Sequence, residues 1–312
     1  MTVRTRAASS IALCVLLPLW HASLVAVETD SLLPADTPAY PPGLLDELRA
    51  ASRAVPGALP EELRYVTVAE SRRPRGAVLE GGNDEPYVQA RTAFQLVYAD
   101  GTLMIDAGMD EQVHRTFGMG NPEPYWQERN DAVQAALKTA SLVLVTHEHG
   151  DHVAGVIRSP DREQIAAHTV LTKAQVRTLT LAPQMPEIRL TPEQAADYIV
   201  IDYALYYPAA PGVVLLKAPG HTPGHQMVFV RLTDGAEYLL SGDVTWALDG
   251  VIERRQRPQG TSDRIGEDRD ALAHQIAWLE AVMDEGVVVV PSHDTAHLED
   301  LERRGLITQG LK

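Results

Sequence analysis

The nine residues VTHEHGDHV, at positions 145–153, place three histidines and two acidic residues within six consecutive positions. Neutral imidazole and carboxylate groups are the natural protein ligands of zinc and similar divalent ions. In an extended loop His147 and His149 can point to the same side and share one ion, and Asp151 and His152 can serve a second ion nearby. A polar surface loop with chance histidines is the alternative, but so specific a spacing is rare by chance and favours a metal site.

Other polar residues stand where apolar segments end. The motif follows the apolar segment SLVLV, and His221 in APGHTPGHQ, Asp243 in LLSGDVTW and His293 in VVPSHD each stand at the end of a predicted strand. A rigid strand aims the loop that follows it, which is why catalytic groups are common at such places. The sequence therefore predicts a site assembled from strand ends.

The elements that would carry these residues include both hairpins and helices. Asp100-Gly101 and Asp234-Gly235 are turn signals between apolar segments and predict two hairpins. Residues 130–140 favour a helix, residues 191–199 open with a capping signature, and apolar residues over 268–283 fall on one helical face. Hairpins combined with strand–helix alternation predict an α/β protein with packed sheets and outer helices.

These segments, in this order and with LMIDAGMD upstream, resemble the metallo-β-lactamase superfamily from about residue 64 to residue 300. The resemblance implies a four-layer αβ/βα sandwich with a two-metal site on one edge. It implies zinc as the first choice of metal, although the donor set would also accept iron, manganese or cobalt. The ligands implied are His147, His149 and His221 for the first ion, Asp151, His152 and His293 for the second, and Asp243 as a bridge between both.

A two-metal site of this kind implies a hydrolase. Two divalent ions that share a water lower its pKa, so that metal-bound hydroxide can attack an electrophilic carbonyl. Asp243, or Asp151 with one free oxygen, is the expected proton carrier to the leaving group. No nucleophilic serine or cysteine is needed.

Positions 243 and 246 bear on the substrate. Many β-lactamases of this fold place Cys or Ser where Asp243 stands, so lactonases, thioesterases and phosphodiesterases are the closer match. The stretch GHTPGHQ followed by Asp243 resembles the acyl-homoserine lactonase branch, in which a Tyr three residues after the bridging Asp helps to hold the substrate carbonyl. This chain has Trp246 there, which can donate only through its indole N–H. We expect a small lactone as substrate, with Trp246 either contacting it or forming a pocket wall.

Several other functions stay open on the same scaffold. A β-lactamase or a thioesterase is the main alternative. An iron redox protein and a non-catalytic binding protein are less favoured, because relatives of those kinds lose or replace ligands and this chain keeps all seven.

Two residues near the motifs are expected to support the site rather than to bind metal. His225 repeats in GHTPGH, and a structural role fits it better than direct ligation. Asp106 in MIDAG is expected to orient a ligand histidine.

Residues 1–26 have the parts of a secretory signal peptide, namely Arg4 and Arg6, the apolar run IALCVLLPLW, and small residues ending at Ala26. A membrane anchor is the alternative, but it needs roughly 20 continuous apolar residues, and Pro18 interrupts the run. The sequence therefore predicts export, to the periplasm or the medium, with no membrane attachment after cleavage.

The predicted mature chain has an exposed, Pro-rich extension with one short helix at residues 27–60, and one domain at residues 61–312. Cleavage would remove the only cysteine, Cys14, and with it any disulfide or thiolate ligand. The whole chain has 27 basic and 42 acidic residues, a net charge of −15, which argues against nucleic acid and anionic membrane as partners. A small-molecule substrate is the expected partner, and the sequence does not fix the oligomeric state.

Overall fold

The computed structural model describes residues 39–118 and 121–312, so the predicted signal peptide and the first part of the predicted extension lie outside the described residues. Within these ranges the strands are β1 Glu62–Pro74, β2 Pro86–Tyr98, β3 Gly101–Ile105, β4 Leu142–Leu144, β5 Thr169–Thr172, β6 Ile199–Ile201, β7 Tyr206–Ala210, β8 Val213–Lys217, β9 Gln226–Arg231, β10 Glu237–Gly242, β11 Val288–Pro291 and β12 Thr308–Gln309.

The helices lie between these strands, at α1 Leu44–Ala51, α2 Arg75–Val78, α3 Glu111–Phe117, α4 Gln127–Thr139, α5 Gly150–Ile157, α6 Arg162–Ala166, α7 Lys173–Leu181, α8 Pro192–Ala195, α9 Leu248–Ile252, α10 Gln259–Ile265, α11 Arg269–Asp284 and α12 Thr295–Arg303, with a 3₁₀ turn at Pro186–Ile188. In the described part of the chain, none of them combines the length and the apolar character that crossing a bilayer requires.

Two sheets form the centre of the protein. One has seven strands in the order β12-β1-β2-β3-β4-β5-β6, and the other has five in the order β11-β10-β9-β8-β7. One apolar cluster joins the facing sides of the two sheets, a second packs α4–α7 against the outer face of the seven-stranded sheet, and a third packs α1 and α11 against the outer face of the other. The layers therefore run helix–sheet–sheet–helix, and the predicted αβ/βα sandwich is confirmed.

Both predicted hairpins form. β2 and β3 pair antiparallel with Tyr98 opposite Gly101, and β9 and β10 pair with Arg231 opposite Glu237. β8, β9 and β10 are buried along almost their whole length, as expected for strands covered on both faces. Turn chemistry and continuous apolar runs together account for this part of the fold.

The described part of the predicted extension, residues 39–60, is only partly exposed, which corrects the expectation of an exposed segment there. α1 presents Leu44, Leu45 and Leu48 to the core beside the five-stranded sheet, and all three are buried. The Tyr40 hydroxyl donates to the main-chain oxygen of Lys217 over 2.9 Å. From about residue 40 onward the segment is therefore part of the packed domain, because its leucines form a buried helical face. The Pro-rich composition of the segment did not indicate that face.

Candidate metal centre

The site lies at one edge of the sandwich, where strand ends from both sheets meet. The structure brings together all seven predicted ligands, namely His147 and His149 after β4, Asp151 and His152 in the first turn of α5, His221 between β8 and β9, Asp243 after β10 and His293 after β11. The turn into α5 depends on Gly150, where a Cβ would lie 3.0 Å from the Met185 Cε and 3.2 Å from a Val113 methyl. Glycine thus lets the histidine loop pass close to its neighbours.

The first ligand cluster consists of His147, His149 and His221. Their ligand atoms all lie within 4.8 Å of one another, and the His221 Nε2 is 2.9 Å from the His149 Nδ1. His147 is fully buried, whereas His149 is half-buried. The three imidazoles can therefore point at one ion, on the side of the site that meets solvent.

The second ligand cluster consists of Asp151, His152 and His293, all buried. The His152 Nε2 is 3.3 Å from the His293 Nε2 and 3.7 Å from the Asp151 Oδ2. The His293 Nε2 is 3.5 Å from the same carboxylate oxygen. These three ligand atoms also lie within 4.8 Å of one another.

Asp243 lies between the two clusters. Its Oδ2 is 3.0 Å from the His293 Nε2 and 3.4 Å from the His221 Nε2, and its Oδ1 is 3.5 Å from the His152 Nε2. One carboxylate thus faces both clusters, which is the placement that a bridging ligand needs.

The donor set fits divalent cations. His221, His152 and His293 each donate the outer Nδ1–H, to Glu267, Asp106 and the main-chain oxygen of Ala90 respectively, over 2.6, 2.8 and 2.6 Å. These bonds leave the Nε2 lone pairs directed inward, as metal-ligating histidines require. Among the described residues, the buried His147 Nε2 and Asp243 Oδ1 find no hydrogen-bond partner, and a cation would satisfy both.

The charges of the site differ between the clusters. Burial lowers the pKa of His149 to about 3 and takes that of His147 well below its usual value, so both imidazoles are neutral and ready to bind metal. Burial also disfavours protonation of His152, but Asp106, Asp151 and Asp243 outweigh it and raise its pKa to about 9. The second cluster is thus rich in negative charge that a cation would neutralise.

The metallo-β-lactamase superfamily model matches residues 90–303, a span that includes all seven predicted ligands. The chain belongs to the metallo-β-lactamase superfamily.

Individual proteins of similar sequence or structure give further points of comparison. An N-acyl homoserine lactonase of Bacillus sp is 24% identical over 210 residues, which cover 62% of this chain and 77% of that protein. A hydroxyacylglutathione hydrolase of Albidiferax ferrireducens is 32% identical over 119 residues, which cover 38% of this chain and 39% of that protein. A solved N-acyl homoserine lactone hydrolase with the product N-hexanoyl-L-homoserine bound at its catalytic metal center matches with a TM-score of 0.61 at 18% identity, covering 78% of this chain and 96% of that chain. At that identity the structural likeness concerns the fold.

Three charged residues of this chain surround the predicted ligands and were not predicted from the sequence. Arg91, on β2, donates from Nη1 to the Asp151 Oδ2 over 2.6 Å, and both side chains are buried. Burial opposes ionisation of Asp151, but Arg91 and the nearby imidazoles outweigh it and hold the pKa of the carboxyl below its usual range. Glu267 and Arg257 stand behind His221 as a buried ion pair. None of the three lies in a motif, and each acts on a ligand far away in the chain.

Asp106 orients His152, as predicted. It follows β3 with a left-handed backbone, φ 60°, and is fully buried. Its Oδ1 accepts from the main-chain N–H of Thr146 over 2.7 Å and its Oδ2 accepts from the His152 Nδ1 over 2.8 Å. One carboxylate therefore fixes both the start of the histidine loop and a ligand within it.

His225 has a structural role. Its Nδ1–H donates to the main-chain oxygen of Ala218 over 3.1 Å, and its Nε2 accepts from the main-chain N–H of Asp243 over 2.9 Å. Both ring nitrogens are engaged, so His225 positions the backbone of Asp243 and has no free nitrogen for a metal.

Two buried side chains tie the histidine loop to the loop that carries His221. Glu148 accepts from the Thr222 hydroxyl over 2.8 Å and from the Gly224 N–H over 3.0 Å. Gln175, at the start of α7, donates to the main-chain oxygens of Val145 and Gly224 over 2.9 and 3.1 Å. The two loops are therefore held in register independently of any metal.

Trp246 lies three residues after Asp243 and is half-buried. Its indole N–H donates to the Asp243 Oδ2 over 2.8 Å, and the Arg257 guanidinium lies over its ring at 4.7 Å. In this arrangement the single donor of Trp246 serves the bridging carboxylate. The predicted contact with substrate would involve the ring rather than the N–H.

Proposed function

We propose that the protein is a two-metal hydrolase of small lactones, with acyl-homoserine-lactone-like molecules as the leading substrate class. The main observation behind this proposal is that seven donor groups converge at one edge of the sandwich, with Asp243 facing both clusters. The similarity to an N-acyl homoserine lactonase over 62% of the chain supports the substrate class. Zinc is the proposed metal, because its protein ligands are imidazole, carboxylate and thiolate, and the site offers the first two.

A pair of divalent ions in such a site supplies a nucleophile from water at neutral pH and polarises the carbonyl to be attacked. His147, His149 and His221 would hold one ion, and Asp151, His152 and His293 would hold the other. Asp243 would anchor both and keep them at a fixed separation. Everything else that the reaction needs must come from groups that orient the substrate and move a proton.

Asp243 is the better candidate for the proton transfer to the departing alkoxide. The Asp243 carboxylate faces both clusters, whereas the Asp151 carboxylate belongs to one cluster and its Oδ2 accepts from Arg91. Opening a lactone keeps the leaving alkoxide on the same molecule, close to a carboxylate that would accept a proton from the attacking water and pass it to the alkoxide. The Trp246 ring would form a wall of the cavity beside it.

One screen of purified, metal-replete protein tests this proposal. The substrates are short- and long-chain acyl-homoserine lactones, a glutathione thioester, a penicillin, a carbapenem and a phosphodiester. Turnover of the lactones above the other substrates is the expected result. Turnover of β-lactams alone would make the protein a β-lactamase, and silence on every ester and amide would favour a redox role.

A thioesterase is the second candidate, because a hydroxyacylglutathione hydrolase shares 32% identity over 119 residues. A thiolate is a better leaving group than an alkoxide and needs no proton as it departs. Replacement of Asp243 by Asn should therefore depress kcat strongly for a lactone and weakly for a thioester, once metal content is matched. Equal loss on both substrates would show that the carboxylate does not act as a proton carrier.

We also propose that the protein is exported to the periplasm or secreted. Only the sequence of residues 1–26 supports this location. Fusion of residues 1–30 to a reporter that works only outside the cytoplasm should give a signal, and the mature protein should begin near Val27. A soluble cytosolic protein that keeps Met1 would contradict export.

A further inference from the structure

Three side chains form a closed ring of contacts with His221 and Asp243. These three, Trp246, Arg257 and Glu267, are called here the arginine bracket. Glu267 accepts from the His221 Nδ1 over 2.6 Å and is held in turn by Arg257 through Nη2 and Nε. The 3.4 Å approach of the His221 Nε2 to the Asp243 Oδ2 closes the ring.

Arg257 makes three different contacts in this ring. Its Nη2 also donates to the main-chain oxygen of Asp243 over 3.0 Å, its guanidinium carbon lies over the Trp246 ring at 4.7 Å from the ring centre, and its Nε and Nη2 bind Glu267. Only a planar guanidinium can donate in two directions and stack on an aromatic ring at the same time. A lysine would keep the charge and lose that geometry.

The ion pair at the centre of the bracket is fully desolvated. The side chains of Arg257 and Glu267 are 2% and 0% exposed. Burying two charges costs much of what their attraction returns, so apolar residues of similar volume would stabilise the fold as well or better. Stability alone thus gives little reason for the pair.

The chain positions the bracket with α10 and its ends. Arg257 precedes this helix and Glu267 follows it, after Gly266 ends the helix in a left-handed conformation, φ 87°. The next residue, Asp268, donates its main-chain N–H to Gly220, the neighbour of His221, over 2.8 Å, and caps α11. The segment is therefore anchored both to a long helix and to the loop of the ligand.

We infer that Arg257 is a positioning residue of the metal centre, which sets the orientation of His221 through Glu267 and of Asp243 through its main chain and Trp246. The arrangement joins a ligand of the first cluster to the carboxylate that faces both. The inference rests on the metal site of the proposed function and not on the substrate.

The test is metal affinity, measured by competition with a chromophoric chelator on the full mature chain, together with the visible spectrum of the Co²⁺ form. Arg257→Lys should bind Zn²⁺ and Co²⁺ about 10- to 100-fold more weakly, which is the usual effect of removing a group that orients a metal ligand, and its Co²⁺ spectrum should change. Arg254→Lys is the matched control, because Arg254 pairs with Glu280 at the surface, 66% exposed. It should bind metal as the wild type does.

A second variant keeps the test decisive if Arg257→Lys fails to fold. Arg257→Met combined with Glu267→Gln removes both buried charges, while the amide oxygen can still accept from His221. If this variant folds and binds metal at least about 10-fold more weakly, the inference stands. Wild-type affinity and spectrum in either folded variant would overturn it, and so would failure of both variants to fold, since the bracket would then serve the fold. Absence of lactone turnover would refute the substrate proposal and leave this result unchanged.

Discussion

The two ligand clusters have the same number of residues and are built by different means. In the second cluster, every predicted ligand is held from behind by the seven-stranded sheet, since Arg91 and the Ala90 carbonyl lie on β2 and Asp106 follows β3. In the first cluster, His221 depends on Glu267 from the connection between α10 and α11, and His149 faces solvent in part.

The difference suggests that the two clusters contribute differently to folding and to metal binding. A cluster attached to sheet strands shares its contacts with the core, so a change there should affect both folding and metal binding. A cluster supported by loops can be altered with less cost to the fold. Substitutions behind the second cluster should therefore lower the free energy of unfolding, whereas those behind the first should mainly lower metal affinity.

Removal of the Asp243 carboxylate, which faces both clusters, should weaken the two clusters alike and have the largest effect. Asp243→Ala is expected to empty both sites and to lower kcat/KM by more than about 100-fold, beyond the loss caused by a supporting residue. Metal analysis and kinetics on the same preparation measure it. Asp202→Ala, at an exposed position, is the control. Retention of two ions by Asp243→Ala would contradict the bridging role.

Removal of Arg91 should damage the second cluster and the fold together. Arg91→Met leaves the Asp151 carboxylate buried without its partner, which should cost about 3–5 kcal/mol in the free energy of unfolding. Urea denaturation of metal-free protein measures this loss. Arg115→Met removes an ion pair with Glu111 that is 73% and 51% exposed and should cost less than about 1 kcal/mol. Equal effects in the two variants would show that burial of the Arg91 pair is unimportant.

Two glutamines cap helices in the same way, and a comparison of them separates the loss of a helix cap from the loss of contacts near the metal site. Gln175 and Gln194 both complete capping boxes, at α7 and α8, but only Gln175 also binds the carbonyls of Val145 and Gly224. Gln194→Ala should cost about 0.5–1 kcal/mol, and Gln175→Ala about 2 kcal/mol, because it also leaves buried carbonyls unpaired. Thermal unfolding gives the ranking, and a reversed order would contradict the linking role of Gln175.

The smallest effect is expected at Trp246. Trp246→Tyr supplies a hydroxyl that can donate to Asp243 or to a substrate carbonyl, so lactone turnover should hold or rise. Steady-state kinetics on one lactone and one β-lactam measure it, with Trp278→Tyr, whose ring packs against Tyr40, as control. A clear fall in lactone turnover alone would show that the indole itself is needed.

Local signals predicted the α/β class, the two hairpins and a metal site at strand ends, whereas the layered sandwich and the ligand set came from the resemblance to a known superfamily. Asp-Gly turns, capping residues and apolar runs mark several of the elements, and the polar residues at strand ends converge because those strand ends meet at one edge of the sandwich. Arg91, Arg257 and Glu267 were not predictable, since Arg91 acts on a residue 60 positions away and Glu267 on one 46 positions away. Such a pairing depends on how strands and loops stack, and no local pattern records it.

The left-handed backbone of Asp106 has a consequence for the tolerance of this position to mutation. At φ 60°, glycine, asparagine and aspartate are the residues that fit with little strain. The side chain must also accept hydrogen bonds from the Thr146 backbone and from His152, a task that glycine cannot perform and that the amide of asparagine performs incompletely. The backbone conformation and the hydrogen bonds of the side chain thus set two separate requirements, and aspartate alone meets both. In a library saturated at codon 106 and selected for activity, we expect the wild-type residue to be recovered almost exclusively.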